Sequence, residues 1–126
     1  MKEIPKDHIF VFGSNEAGRH GAGAARYAMD KRGARYGQGV GLAGTSYAIP
    51  TKDTQIETLP LRDIKIYVED FKDFALHHPG LTFVVTRIGC GLAGYTDEDI
   101  GPLFKDSPPN VVFYDEPGFD NWEKYR

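Results

Sequence analysis

The chain is short of cysteine, of net positive charge and of long apolar runs. It has one cysteine, Cys90, which excludes a disulfide framework and a Cys-rich zinc site. Lys and Arg number 15 against 18 Asp and Glu, for a net charge of −3. That balance argues against duplex nucleic acid as the main partner, because neutralising phosphates needs a basic face. It leaves room for a small anionic ligand, since backbone amides bind anions without net positive charge. The start, MKEIPKDH, has no apolar stretch of the kind a secretory signal carries. No apolar run approaches the length of a membrane span, so a cytoplasmic protein is expected. Glycine, in contrast, is plentiful: 15 of 126 residues, and they cluster.

The 126 residues fit one domain. His8 to Phe12 is an apolar run that predicts a buried strand ending at Gly13. GSNEAGRHGAGAA follows, a glycine-rich turn leading into a helix around Ala24–Met29 with its stop at Gly33. Residues 33–45 have no periodicity and predict a loop. Ser46–Ile49 predicts a brief strand halted by Pro50. From Pro60 the apolar residues Leu61, Ile64, Val68, Phe71 and Ala75 recur at helical spacing. Leu81–Thr86 is β-branched and apolar, as in an interior strand. RIGCGLAGYT leads to a short helix over 97–104, with Thr96 as its N-cap and Asp99 placed for a capping box. Val111–Tyr114 is the last strand. The domain is expected to occupy 1–114, with 115–126 as a tail. In that tail Phe119, Trp122 and Tyr125 are expected to cover an apolar patch or to stack on a ligand.

Alternating strands and helices imply an α/β fold with a mostly parallel sheet and helices on both faces. Ligands in such sheets bind beyond the carboxyl ends of the strands. The turns over 13–25 and 89–97 both have the order strand, glycines, helix, which suits a phosphate cradle. Two converging cradles suit a diphosphate. Neither is a Walker A loop or a dinucleotide fingerprint. Residues 39–44, GVGLAG, nearly repeat GCGLAG at 89–94, but they precede a strand and have no helix behind them. They are expected to be a cover or a plain connection.

RHGAGAARYAMDKRG, YAIPTKD and RIGCGLAGYTDEDI, in that order, resemble segments of the macrodomain family, and most closely its ADP-ribose hydrolase branch. The resemblance spans most of residues 8–114 in a chain shorter than a typical macrodomain. It implies a three-layer α/β/α fold and an ADP-ribose ligand, free or attached to protein or nucleic acid, with no cofactor and no metal. It places Asn15, Gly21, Ala22 and Gly23 on one side of the ligand, and Gly13 and His20 join them as candidates because they lie in the same turn. Gly89, Cys90, Gly91, Leu92, Ala93, Gly94 and Tyr95 fall on the other. Lys52 falls on the lysine used in catalysis by the hydrolase branch. The branch's catalytic aspartate corresponds to Thr96 by direct register, and Asp97 is the candidate through a one-residue shift.

Read from the residues themselves, Lys52 is either a solvated loop lysine or a nucleophile or base. Asp97, Glu98 and Asp99 are either carboxylates complementing a helix dipole or, for Asp97, a general base facing the ribose. Cys90 reads as a structural thiol rather than a nucleophile. His20 either donates to a phosphate or is exposed. His77 and His78 close a helix and lack nearby partners for a metal. Three functions remain open: hydrolysis of ADP-ribose from a modified macromolecule, reading of ADP-ribose or a related nucleotide without chemistry, and a structural or interaction role that retains the fold only.

Overall fold

The computed structural model describes residues 3–115 and 121–126. Its core is a five-stranded sheet in the order β2-β3-β1-β4-β5. The strands are β1 (Ile9–Asn15), β2 (Gly41–Ala43), β3 (Ser46–Lys52), β4 (Phe83–Val85) and β5 (Val111–Phe113). All pairings are parallel except that of β2, which runs antiparallel to β3 at one edge. Side chains alternate across the sheet as a strand requires. Ile9, Val11, Tyr47, Ile49, Phe83 and Val85 face one core, whereas Phe10, Phe12, Ala48 and Val84 face the other.

Helix α1 (Gly23–Lys31) covers the second of these faces. Helix α2 (Leu61–Leu76) buries Ile64, Val68, Phe71 and Ala75 on the first, the stripe expected from their spacing. Helix α3 (Asp97–Ile100) joins α2 there and tightens into a 3₁₀ turn over Gly101–Phe104, where Pro102 has no amide to continue an α-helix. The architecture is three-layered, α/β/α. The connection after β1 leaves on one face and that after β4 on the other, although the two strands are neighbours. Their carboxyl ends therefore part around a crevice, the switch point of the sheet.

Three elements differ from the sequence expectation. β1 runs past Gly13 to Asn15, because its ladder with β3 continues. The stretch 33–45 contains β2, too short and glycine-rich to show a period. β3 runs through Pro50 to Lys52 instead of stopping. Pro50 has no amide for the ladder, and the register slips between Ser14 and Asn15 so that Asn15 faces Lys52. The carbonyl of Ser14 takes the Thr51 hydroxyl at 3.4 Å.

The tail is also part of the fold. Trp122 is buried and stacks on Phe104 with centroids 5.5 Å apart. Arg126 donates to the carbonyls of Ser107, Pro108 and Val111. Residues 121–126 thus pack on the same core as 3–114, and the expected boundary at 114 does not separate them. Of the tail aromatics, Trp122 takes the packing role, and Phe119 lies outside the described residues.

Candidate functional site

A cleft of ≈ 550 Å³ opens at the carboxyl ends of β1, β3 and β4, within the usual size of a small-molecule site. Gly13 and Ser14 form its floor with Thr86 and Ile88. One wall is the loop entering α1, residues 21–25. The other is the turn after β4, where Gly89, Gly91, Leu92 and Ala93 line the space. Lys52 reaches it from the end of β3, where the slipped register has re-aimed the strand.

The walls share one property. Among the described residues, no acceptor meets the backbone amides of residues 21–25 or of residues 89–93. On the first wall this follows from helix geometry, since the opening amides of α1 have no carbonyl a turn earlier. Ala22 caps the helix without a side-chain bond, so nothing else takes them. On the second wall the turn is closed by Gly94 N–H to the Gly91 carbonyl and Tyr95 N–H to the Gly89 carbonyl. Those bonds leave the intervening amides over. Gly89 has φ +75, and a Cβ there would lie 3.0 Å from the Ile100 side chain, so the turn requires glycine at its first step.

Not every expected residue reaches the cleft. Gly13, Asn15, Gly21, Ala22, Gly23, Lys52, Gly89, Gly91, Leu92 and Ala93 line it. Asn15 is occupied with its own turn: its side chain accepts from the Arg19 amide and donates to the Arg19 carbonyl, both at 2.9 Å. His20 is neither a phosphate donor nor exposed. It is wholly buried, edge-on to Phe12, with Nε2 at 3.0 Å from the Gln38 carbonyl. Tyr95 is a strut, its hydroxyl donating to the Leu59 carbonyl at 2.6 Å, and Gly94 closes the turn behind the wall. Cys90 turns its half-buried thiol toward Asp97, and burial followed by that carboxylate pushes its pKa up to about 11. A thiol so held is protonated at neutral pH, which agrees with a structural role.

Asp97 is the largest correction. It does not line the cleft, and its carboxylate is fully engaged. Arg87 donates to it through Nε at 2.8 Å and through a terminal nitrogen at 2.9 Å. The indole Nε1 of Trp122 donates at 2.8 Å. The Arg87 bonds and, beyond them, the indole hold its pKa below the usual carboxylate value. An ionised carboxylate with three such donors orients its neighbours and is a poor base. The sign for stability follows. The folded-state pKa is depressed, so the contribution is complete above about pH 4, the unfolded value, and is lost as pH falls through the folded one. Asp97→Asn should therefore lower the melting temperature at pH 7 and lower it less at pH 2.5. An equal drop at both pH values would contradict the pairing. Asp99, in contrast, does what its spacing suggests, accepting the Thr96 amide at 3.0 Å.

Arg87, Arg19, Thr51, Thr86, Tyr36 and Ile56 also line the cleft and escaped the sequence reading. Arg87 had a usable signal, as it stands just after β4 at a carboxyl end. Tyr36 and Ile56 sit in irregular segments with no period to place them. Leu92, 89% exposed, and Tyr36, 68% exposed, give the rim two bare apolar surfaces. No Asp or Glu is among the described lining residues.

The near-repeat at 39–44 has a separate task. Ser14 Oγ donates to the Gly39 carbonyl at 2.5 Å, and the Gly39 Cα lies against the backbone of Asn15 and Glu16. Gly37 N–H donates to the Gly18 carbonyl at 2.8 Å. The segment thus braces the β1 turn from behind.

No family model matches the chain, and no curated protein sequence matches it. A solved structure described as a protein of unknown function from Bacteroides thetaiotaomicron is similar in fold, with a TM-score of 0.55. It is 17% identical, over 86% of this chain and 88% of that one. A likeness of this degree shows the fold.

Proposed function

We propose that this chain binds ADP-ribose, free or attached to a macromolecule, with the diphosphate held between its two glycine-rich walls. The observation that carries the reading is the pair of unsatisfied amide runs, 21–25 and 89–93, on opposite sides of one cleft. Amides in that state are the groups an anion satisfies, and one run opens a helix whose dipole adds to the attraction. Arg19 and Lys52 supply positive charge, that of Arg87 is balanced by Asp97, and no carboxylate is among the described lining residues. The macrodomain resemblance of these same segments supports ADP-ribose as the diphosphate. Calorimetry with ADP-ribose tests the reading, and no heat of binding at millimolar ligand would remove it.

Within that reading, hydrolysis rests on Lys52. Its ammonium makes no ion pair or hydrogen bond among the described residues, and Lys52 lines the cleft. There its amine, once the ammonium has lost a proton, would attack the anomeric carbon of an attached ADP-ribose and break the bond to the macromolecule's oxygen or nitrogen, and water would then release the ribose from the lysine. Lys52→Ala is expected to abolish release of ADP-ribose from modified protein or DNA while the melting temperature stays put. A non-catalytic reader is the second reading, favoured by the described lining residues, which include no carboxylate to activate water. Binding without release by the wild type would select it. A cytoplasmic location accords with either form of the proposal. No helix among the described residues is long and apolar enough to cross a membrane.

A further inference from the structure

The turn that follows β3 holds an isoleucine in a conformation isoleucine avoids. Lys52 and Thr58 face each other across an antiparallel bridge, and the chain between them doubles back. Asp53 N–H donates to the Glu57 carbonyl at 2.8 Å, and Ile56 N–H donates to the Asp53 carbonyl at 3.1 Å. Asp53 Oδ1 accepts the Gln55 amide at 2.8 Å and the Glu57 amide at 3.0 Å. Thr58 Oγ1 donates to the Ala93 carbonyl at 3.0 Å, which moors the turn to the second cleft wall. Within this turn Ile56 has φ +64. A β-branched side chain is strained in that left-handed region, whereas glycine or asparagine adopts it readily. The bonds to Asp53 offset the strain. The other non-glycine residue with positive φ among the described ones is Asp106, of a type that tolerates it better.

The fold does not account for this isoleucine. Ile56 is in neither core, and it is 38% exposed. It lines the cleft, as does Leu92 on the wall that Thr58 holds. We infer that Ile56 is a ligand-contacting, specificity-determining residue: it gives the cleft an apolar surface for a sugar or base face of the bound nucleotide, and its left-handed backbone is kept for that contact. This rests on the ADP-ribose reading above and adds a residue which that reading leaves without a role. Amides 21–25 and 89–93 answer the diphosphate, and they would hold any diphosphate alike. An apolar contact is what separates a nucleotide from a bare one, because sites of this kind join a few polar groups to apolar lining. Backbone strain held in a ligand site, where a less strained residue would serve the fold, fits that use.

The test is Ile56→Gly in the full chain, read by thermal unfolding and by calorimetry with ADP-ribose. Glycine relieves the strain, so the melting temperature should rise by about 3 °C. The apolar contact is lost, so affinity should fall about tenfold. The opposite signs are the signature, since a side chain kept for the fold would lower both. Ile56→Leu keeps the apolar volume and should bind within about twofold of the wild type. Calorimetry with ADP then locates the contact. A matching loss for ADP puts it on the adenosine, and a loss confined to ADP-ribose puts it on the distal ribose. A lower melting temperature in Ile56→Gly, or wild-type affinity for ADP-ribose in that variant, overturns the inference and leaves the ADP-ribose reading standing. Absence of wild-type binding removes that reading, and the inference with it.

Discussion

Gly91→Val is expected to weaken ADP-ribose binding by about thirtyfold and leave the melting temperature near that of the wild type. Gly41→Val is expected to do the reverse. The two glycines hold the same place in the near-repeats GVGLAG and GCGLAG, yet their surroundings differ. Gly91 is in the cleft wall, no heavy atom lies within 4 Å of a Cβ built there, and its φ is not positive. A valine fits the fold, and its branched side chain covers the amides a phosphate would reach. Gly41 begins β2 with φ +92, a conformation that a β-branched residue adopts only under strain. The cost is about 1–3 kcal/mol, several degrees of melting temperature in a domain this size. Thermal unfolding and calorimetry on both variants check the pair. Equal losses of affinity would show that the two segments share one role.

Gly39→Ala should destabilise the fold by about 2–3 kcal/mol and weaken ligand binding as well. A Cβ at Gly39 would stand 2.2 Å from the Asn15 carbonyl oxygen and 2.9 Å from that of Glu16. Both obstacles are backbone, so no rotamer change relieves them. Either β1's turn or the segment carrying Gly39 must move, and the turn includes cleft residues Asn15 and Arg19. Gly21→Ala is the matched control. Nothing lies within 4 Å of its Cβ and its φ is not positive, so its urea midpoint should match the wild type. A Gly39→Ala midpoint equal to that of Gly21→Ala would mean the close approach does not exist in solution.

The central sheet and both helix layers were legible because their signals are local. The apolar run IFVF, the helical stripe from Ile64 to Ala75, and Thr96 with Asp99 at the start of α3 each act within one element. The same holds for the two cleft walls, where a strand, glycines and a helix start stand together in the chain. What stayed hidden depends on residues distant in sequence. Asp97 reads as a helix-start carboxylate or a base until Trp122, 25 residues on, is seen to donate to it. His20 reads as a cleft donor until Gln38 and Phe12 are seen to enclose it. β2 exists only because β3 offers it an edge, and Pro50 is tolerated only because a register slip accommodates the missing amide. A motif can mark where a ligand would sit; which side chains face it is decided by packing partners that the motif does not contain.

The seat of Trp122 against Phe104 and the grip of Arg126 on residues 107–111 also bear on how the molecule is made. Synthesis proceeds from the amino end, and domains fold as units. The side of the core that receives Trp122 has its last piece only once residues 122–126 clear the ribosome. Until then Phe104 lacks its stacking neighbour and the nascent chain carries an open apolar face. Ribosome-bound chains halted with residue 115 as the last one exposed should remain protease-sensitive, and chains extended by a linker beyond residue 126 should become resistant.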